Sequence, residues 1–176
     1  MEFPFTELLN SNRGGGDKLN DTAWITGFLK RWGLKVGAPS AEDIERLKTL
    51  RQAMANIVDA LTAGRGPDED DMREVISALA GSHMTFALTA PAGEWQLSLQ
   101  PVKKDWDWAL HEIAASFAKV LSSEDKSRLK VCENAECGMV FYDESKSRTR
   151  RWCSNACGNL IKVREFRKRQ KEKNEK

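Results

Sequence analysis

The chain has 176 residues, of which 40% are hydrophobic and 31% charged, the composition of a folded, water-facing protein. No apolar run approaches the roughly 20 residues of a membrane span. The opening stretch, MEFPFTELLN, has glutamates instead of the basic start of a signal peptide, so the chain is read as cytoplasmic. The charge is uneven. Residues 145–176 hold 12 Lys/Arg against 3 Asp/Glu, a net of +9, which leaves −7 for residues 1–144 of a chain whose total is +2. A basic end on an acidic body points to a polyanion partner; a solvated basic tail is the alternative on charge alone.

In chain order, FPFTELLNS sets Phe5, Leu8 and Leu9 at helical spacing, and NRGGGDK breaks that helix. DTAWITGFLKRWGL places Trp24, Ile25, Phe28, Leu29 and Trp32 on one helical face, with Asp21 as N-cap and Gly33 as terminator. In the next segment Ser40 and Asp43 form a capping box. Ile44, Leu47, Leu50, Met54, Ile57, Val58 and Leu61 make a continuous stripe there, and Gly64 ends the helix. PDEDDMREVISALAG starts a further helix, with Pro67 and acidic residues near its positive end.

The period then changes. MTFALT and EWQLSLQ alternate apolar and polar residues around APAG. This predicts a β-hairpin with Phe86 and Leu88 on one strand facing Trp95, Leu97 and Leu99 on the other. DWDWALHEIAASFAKVLSS returns to helix, with Trp108, Ile113, Phe117, Val120 and Leu121 on its apolar face. Residues 1–128 are thus expected to form a mainly helical domain with one hairpin, and residues 129–176 a small second domain. Nothing in the first part has the pattern of an active site. His83 and His111 are far apart with no cysteine near, and the glycines at 14–16 lack the Lys-Ser/Thr of a phosphate loop and follow no strand. The chain is read as a non-enzyme.

All four cysteines lie within residues 132–157: Cys132-x4-Cys137, fifteen residues, then Cys153-x3-Cys157. A disulfide framework is spread through a small secreted fold; clustering in a reducing compartment points to metal. Two thiolate pairs brought together supply the tetrahedral site that zinc favours. Neither pair is C-x-x-C, and no histidine stands near to activate a nucleophile. ECGMVFYD runs from a glycine turn into a strand at 139–142, and Cys153 and Cys157 share a face if they sit in a first helical turn. A cysteine turn, a hairpin and a helix carrying the second pair have the layout of a treble clef. The fold class is therefore α+β: a mainly helical N-terminal domain with a small β-hairpin, followed by a treble-clef-like zinc finger.

The segment CENAECGMVFYDESKSRTRRWCSNACGNLIK resembles the CGNR-type zinc finger found at the C-terminus of bacterial stress-induced transcription regulators. Cys132, Cys137, Gly138, Phe141, Asp143, Ser145, Lys146, Arg150, Arg151, Trp152, Cys153, Ser154, Cys157, Gly158 and Asn159 carry the likeness. The preceding residues resemble the ABATE domain that accompanies this finger, in the order of elements and in ELLNS, where that family has an acidic-apolar-apolar-Asn-Thr motif. The chain departs from the finger's motif at its last letter, with Leu160 in place of arginine. The resemblance implies DNA binding and transcription regulation.

The basic residues of the C-terminal part are the candidate nucleic-acid contacts: Lys146, Arg148, Arg150 and Arg151 between the cysteine pairs, and Lys162, Arg164, Arg167, Lys168 and Arg169 on the helix that follows. On that helix Leu160, Val163 and Phe166 recur every third position, a stripe expected to dock on the finger or the helical body. Trp152 is expected to pack over the metal site. Arg150 and Arg151 are candidates to bond backbone carbonyls there instead of a phosphate. DNA is the expected partner, with RNA or an acidic protein as the alternative, and the helical domain is a candidate homodimer surface.

Overall fold

The computed structural model describes residues 3–123 and 125–174. Among them are six α-helices and two separate two-stranded antiparallel sheets. The helical part comprises α1 (Pro4–Leu9), α2 (Thr22–Arg31), α3 (Ala41–Thr62), α4 (Glu69–Ala80) and α5 (Trp106–Ser122), with the hairpin β1 (Met84–Thr89) and β2 (Gln96–Pro101) between α4 and α5. The C-terminal part comprises β3 (Leu129–Val131), β4 (Val140–Tyr142) and α6 (Asn155–Asn174). No helix among the described residues is long and apolar enough to cross a membrane.

The helix starts follow from side chains that satisfy the first free N–H groups. Asp21 accepts from Ala23 N at 2.9 Å. Ser40 Oγ accepts from Asp43 N at 3.1 Å while Asp43 accepts from Ser40 N at 2.9 Å, completing the box. Asp68 caps α4, so Pro67 stands just outside the helix it announces. After α2 the chain reverses at Gly33, whose φ of +70° is the left-handed conformation that glycine adopts without steric cost.

The core forms where α1, α3 and α5 meet. Phe5 and Leu8, Leu47, Leu50, Met54 and Ile57, and Ile113 and Phe117 are all fully buried or nearly so. The Phe5 and Phe117 rings lie 5.2 Å apart. The stripe on α3 is half-buried at Ile44 and buried from Leu47 to Val58, but its last member, Leu61, is exposed, where the helix end borders a groove beside β3. The glycine loop serves packing: it delivers Asp17, whose carboxylate takes both Nη atoms of buried Arg51 at 2.6 Å. That bond to Arg51, against an opposing contribution from burial, lowers the Asp17 carboxyl from its ordinary value. His111 bonds Leu79 O through Nδ1 at 2.7 Å and joins α5 to the end of α4.

The two sheets differ in what they touch. In β1–β2 the register pairs Phe86 with Leu99 and Leu88 with Leu97, as the alternation predicts, but this apolar face looks into solvent. In β3–β4, Leu129 pairs with Tyr142 and Val131 with Val140. Leu129 and Val140 are buried in the same core as the helices, and Phe3 meets the Tyr142 ring edge-on at 5.3 Å. The cysteine-bearing part is therefore docked on α1 and α3.

The expected docking of the α6 stripe is not what the structure shows. Leu160, Val163 and Phe166 are 41%, 45% and 56% exposed. Among the described residues no surface closes over this stripe. Nothing in the structure explains why Leu160 stands where the motif has arginine.

Candidate metal centre and basic surface

Cys132 directly follows β3, and its N–H bonds Met139 O at 2.9 Å, closing the ladder across the turn. In that turn Cys137 N and Gly138 N both donate to Asn134 O, at 2.8 and 3.2 Å. Gly138 has φ +59°, the left-handed conformation that favours glycine, and the exposed Arg13 guanidinium lies over the position a Cβ would take. Cys153 stands two residues ahead of α6 and Cys157 in its first turn. Ser154 Oγ accepts from Cys157 N at 3.4 Å and caps the helix. The expectation that both cysteines lie inside the first turn thus holds for Cys157 alone.

These four cysteines form a cluster suited to a metal ion, with every Sγ within 4.8 Å of the others. Cys137 Sγ and Cys153 Sγ are 3.6 Å apart, and Cys153 Sγ and Cys157 Sγ 3.7 Å. A tetrahedron of sulfurs at 2.3 Å from zinc has edges of about 3.8 Å, whereas a disulfide needs about 2.05 Å. The spacing fits four thiolates around one ion. Donors aim at the sulfurs: Cys153 N at 3.4 Å from Cys132 Sγ, and Asn134 Nδ2 at 3.7 Å from Cys157 Sγ.

The thiols differ accordingly. Burial raises the Cys137 thiol from its ordinary value and pushes Cys153 up to about 12, whereas the Asn134 amide lowers Cys157 to about 7. Crowded thiolates repel, and a dication is what stabilises all four together.

A second cluster, centred on Asp143, shapes the loop between the cysteine pairs. Asp143 is fully buried. It accepts from Lys130 Nζ at 2.7 Å, from Ser145 N and Oγ at 2.9 and 2.6 Å, and from Arg150 N at 2.9 Å. Burial works to raise this carboxyl, but the Lys130, Ser145 and Arg150 donors outweigh it and hold the carboxyl well below the usual carboxylate range. Lys130 also bonds Arg148 O at 2.5 Å, pinning Arg148 at φ +57°, a conformation uncommon outside glycine. Sequence reasoning matched Asp143 to a motif without giving it a role. Its hydrogen-bonding potential two residues before Ser145 was the available signal.

The structure divides the nine candidate nucleic-acid residues. Four have partners within the chain. Arg148 pairs with Asp125 at 2.7 Å. Arg150 donates to Trp152 O at 2.8 Å and to Cys153 O, with its guanidinium 5.1 Å from the Phe141 ring. Arg151 bonds Glu133 at 2.7 Å and lies 5.1 Å from the Trp152 ring. Arg164 reaches back from α6 to Glu136 at 2.7 Å. The other five, Lys146, Lys162, Arg167, Lys168 and Arg169, are exposed and make no ion pair among the described residues. Trp152 packs on the first turn of α6: a Cβ on buried Gly158 would meet its ring at 3.2 Å.

Residues 3–124 match the family named ABATE and described as "Putative stress-induced transcription regulator". The chain belongs to the ABATE family. Residues 128–170 match the CGNR zinc finger, which leaves only residues 125–127, just ahead of β3, between the two matches. Comparison with curated proteins finds no match. In ABATE terms, the helical body with its hairpin is one part of the family architecture, and the cysteine cluster with α6 is the other.

Proposed function

We propose that this ABATE protein is a transcription regulator that binds DNA through its C-terminal finger, with Cys132, Cys137, Cys153 and Cys157 holding one structural zinc. The observation that carries this reading is the free, basic surface of α6. Lys162, Arg167, Lys168 and Arg169 are exposed on α6, a helix tied back to the finger as far as Arg164, and Lys146 is exposed on the loop that precedes it. Unpaired cations on a protruding helix suit the phosphates that flank a groove wide enough to admit it. The zinc supplies no chemistry in this reading. It fixes the start of α6 against the Cys137 turn, so that Arg164 can close onto Glu136 and the cations are presented in one orientation.

The four paired arginines play a different part. Arg150 and Arg151 brace the finger, and Arg148 ties the loop to Asp125. The primary phosphate contacts are therefore assigned to Lys146, Lys162, Arg167, Lys168 and Arg169, with Arg164 available if Glu136 releases it. The helical part is assigned to dimerisation or ligand sensing.

A second reading, a module that binds an acidic protein or RNA, rests on the exposed Leu160, Val163 and Phe166, since apolar residues beside cations suit a protein surface. A gel-shift assay at low salt with duplex DNA and single-stranded RNA distinguishes the two. A duplex shift supports the first reading; no duplex shift favours the second.

A further inference from the structure

The β1–β2 hairpin carries an apolar face that nothing among the described residues covers. Phe86, Leu88, Leu97 and Leu99 are cross-strand partners on one face, and exposed Trp95 stands just ahead of β2, two residues before Leu97. Their exposures are 71%, 62%, 67%, 56% and 75%. The hairpin is anchored at its root, where Met84 packs against the helical core and Val102 N bonds His83 O at 2.9 Å. Among the described residues no third strand joins it. A lone two-stranded hairpin is marginal in water unless its apolar face is covered.

We propose that this face is the dimer interface, its occupant the same hairpin of a second copy of the chain. Three features select a copy over another partner. The first is area. At roughly 100–200 Å² per side chain the five residues present about 650 Å², more than the roughly 300–600 Å² of the largest patch on a typical monomer. Two such faces bury at most about 1,300 Å², at the lower end of the roughly 1,200–2,000 Å² of a specific interface.

The second is charge. In a chain that is 31% charged, residues 84–102 contain only Glu94. A twofold interface sets a surface against itself, so any net charge near the axis meets its own sign. A face without charge removes that repulsion; a partner of opposite charge would leave complementary charges on it, and there are none.

The third is protection. Neither strand has the lysines, inward charges or mid-strand prolines that keep exposed edges from pairing. Open association of such a hairpin leads to aggregation, and a closed twofold contact ends it. The proposal is independent of what the finger binds.

The test is analytical ultracentrifugation of the full chain with zinc supplied, across micromolar to millimolar concentration. Wild type is expected at twice the 19.8 kDa chain mass. Phe86→Glu and Leu97→Glu, both at solvent-facing positions of the free chain, are expected to weaken association by at least about tenfold while retaining helical circular dichroism. Leu99→Ser, a milder change on the same face, is expected to weaken it in the same direction and covers the case in which a carboxylate disturbs the hairpin. A wild type that is monomeric throughout overturns the proposal. So does a dimer that all three variants leave intact, and so does a monomer that uses this face only for a different protein.

Discussion

Asn10 treats the Val140 backbone as a neighbouring strand would. Its Nδ2 donates to Val140 O at 2.8 Å, and its Oδ1 accepts from Val140 N at 2.9 Å. The asparagine that ends the ELLN stretch is thus the polar join between the helical part and β4, just after the Cys137 turn. Both parts share a core through Leu129 and Val140, but this pair fixes their register.

Asn10→Ala leaves both Val140 groups without their partner. The expected cost is about 1–3 kcal/mol, read as a fall of several degrees in Tm, with zinc content unchanged. Asn10→Asp keeps the acceptor for Val140 N but turns a carboxylate oxygen toward Val140 O, so it should cost at least as much as alanine. An unaltered Tm and unaltered protease resistance of the finger in Asn10→Ala would show that the join contributes nothing.

The Asp143 cluster sets an acid limit on stability. A carboxyl lowered by folding contributes stability that is fully present above its unfolded value, near pH 3.9. That contribution is lost as pH falls through the folded value. Asp143→Asn removes it and should destabilise the chain by about 3 kcal/mol at neutral pH. The gap in urea midpoint between wild type and variant should be constant above about pH 5 and narrow below about pH 4. A gap that widens in acid contradicts the cluster.

Removal of one thiolate should release the metal. Cys153→Ser leaves three sulfurs, and elemental analysis should fall from one zinc per chain toward none. The finger should then become protease-sensitive, because ligand binding and folding are coupled in such sites. Affinity should rise with pH, since zinc must displace thiol protons, that of Cys153 above all. A metal-free variant with a protected C-terminus would contradict the assignment.

The separate fold of the helical part is also open to test. A chain ending at Ser127 keeps α1 to α5 and most of the core but exposes the surfaces that receive Leu129 and Val140. It should show a cooperative thermal transition at lower temperature than the full chain. A non-cooperative melt would mean that the two parts cannot fold apart.

Much of this was legible from local chemistry. The caps Asp21 and Ser40, the stripe from Leu47 to Val58 and the cysteine spacing act over a few residues, and the structure agrees with each. What periodicity cannot give is whether a surface exists to receive an apolar face. Leu160, Val163 and Phe166 are spaced like a docked stripe, and Phe86 and Leu88 like a packed strand, yet both faces are open. Charge counting failed for a related reason. Arg148 and Arg164 read as free cations until the fold brings Asp125 and Glu136 to them, whereas Arg150 bonds the Trp152 and Cys153 carbonyls, the alternative its place beside the cysteines had offered.

In the proposed function α6 meets DNA with its unpaired cations while Arg150 holds the finger together. The most direct test is a salt titration of duplex binding for wild type, Lys162→Ala, Lys168→Ala and Arg150→Ala, with zinc content measured in each. Each phosphate neutralised releases condensed counterions, giving a log-log slope of about −0.9 per contact. Lys162→Ala and Lys168→Ala should each reduce the steepness by about one and weaken all sequences alike, with zinc retained. Arg150→Ala should act through lower stability or zinc content, since its guanidinium serves the Trp152 and Cys153 carbonyls. Absence of duplex binding by the zinc-loaded wild type even at low salt, or a slope that neither lysine changes, would contradict the account.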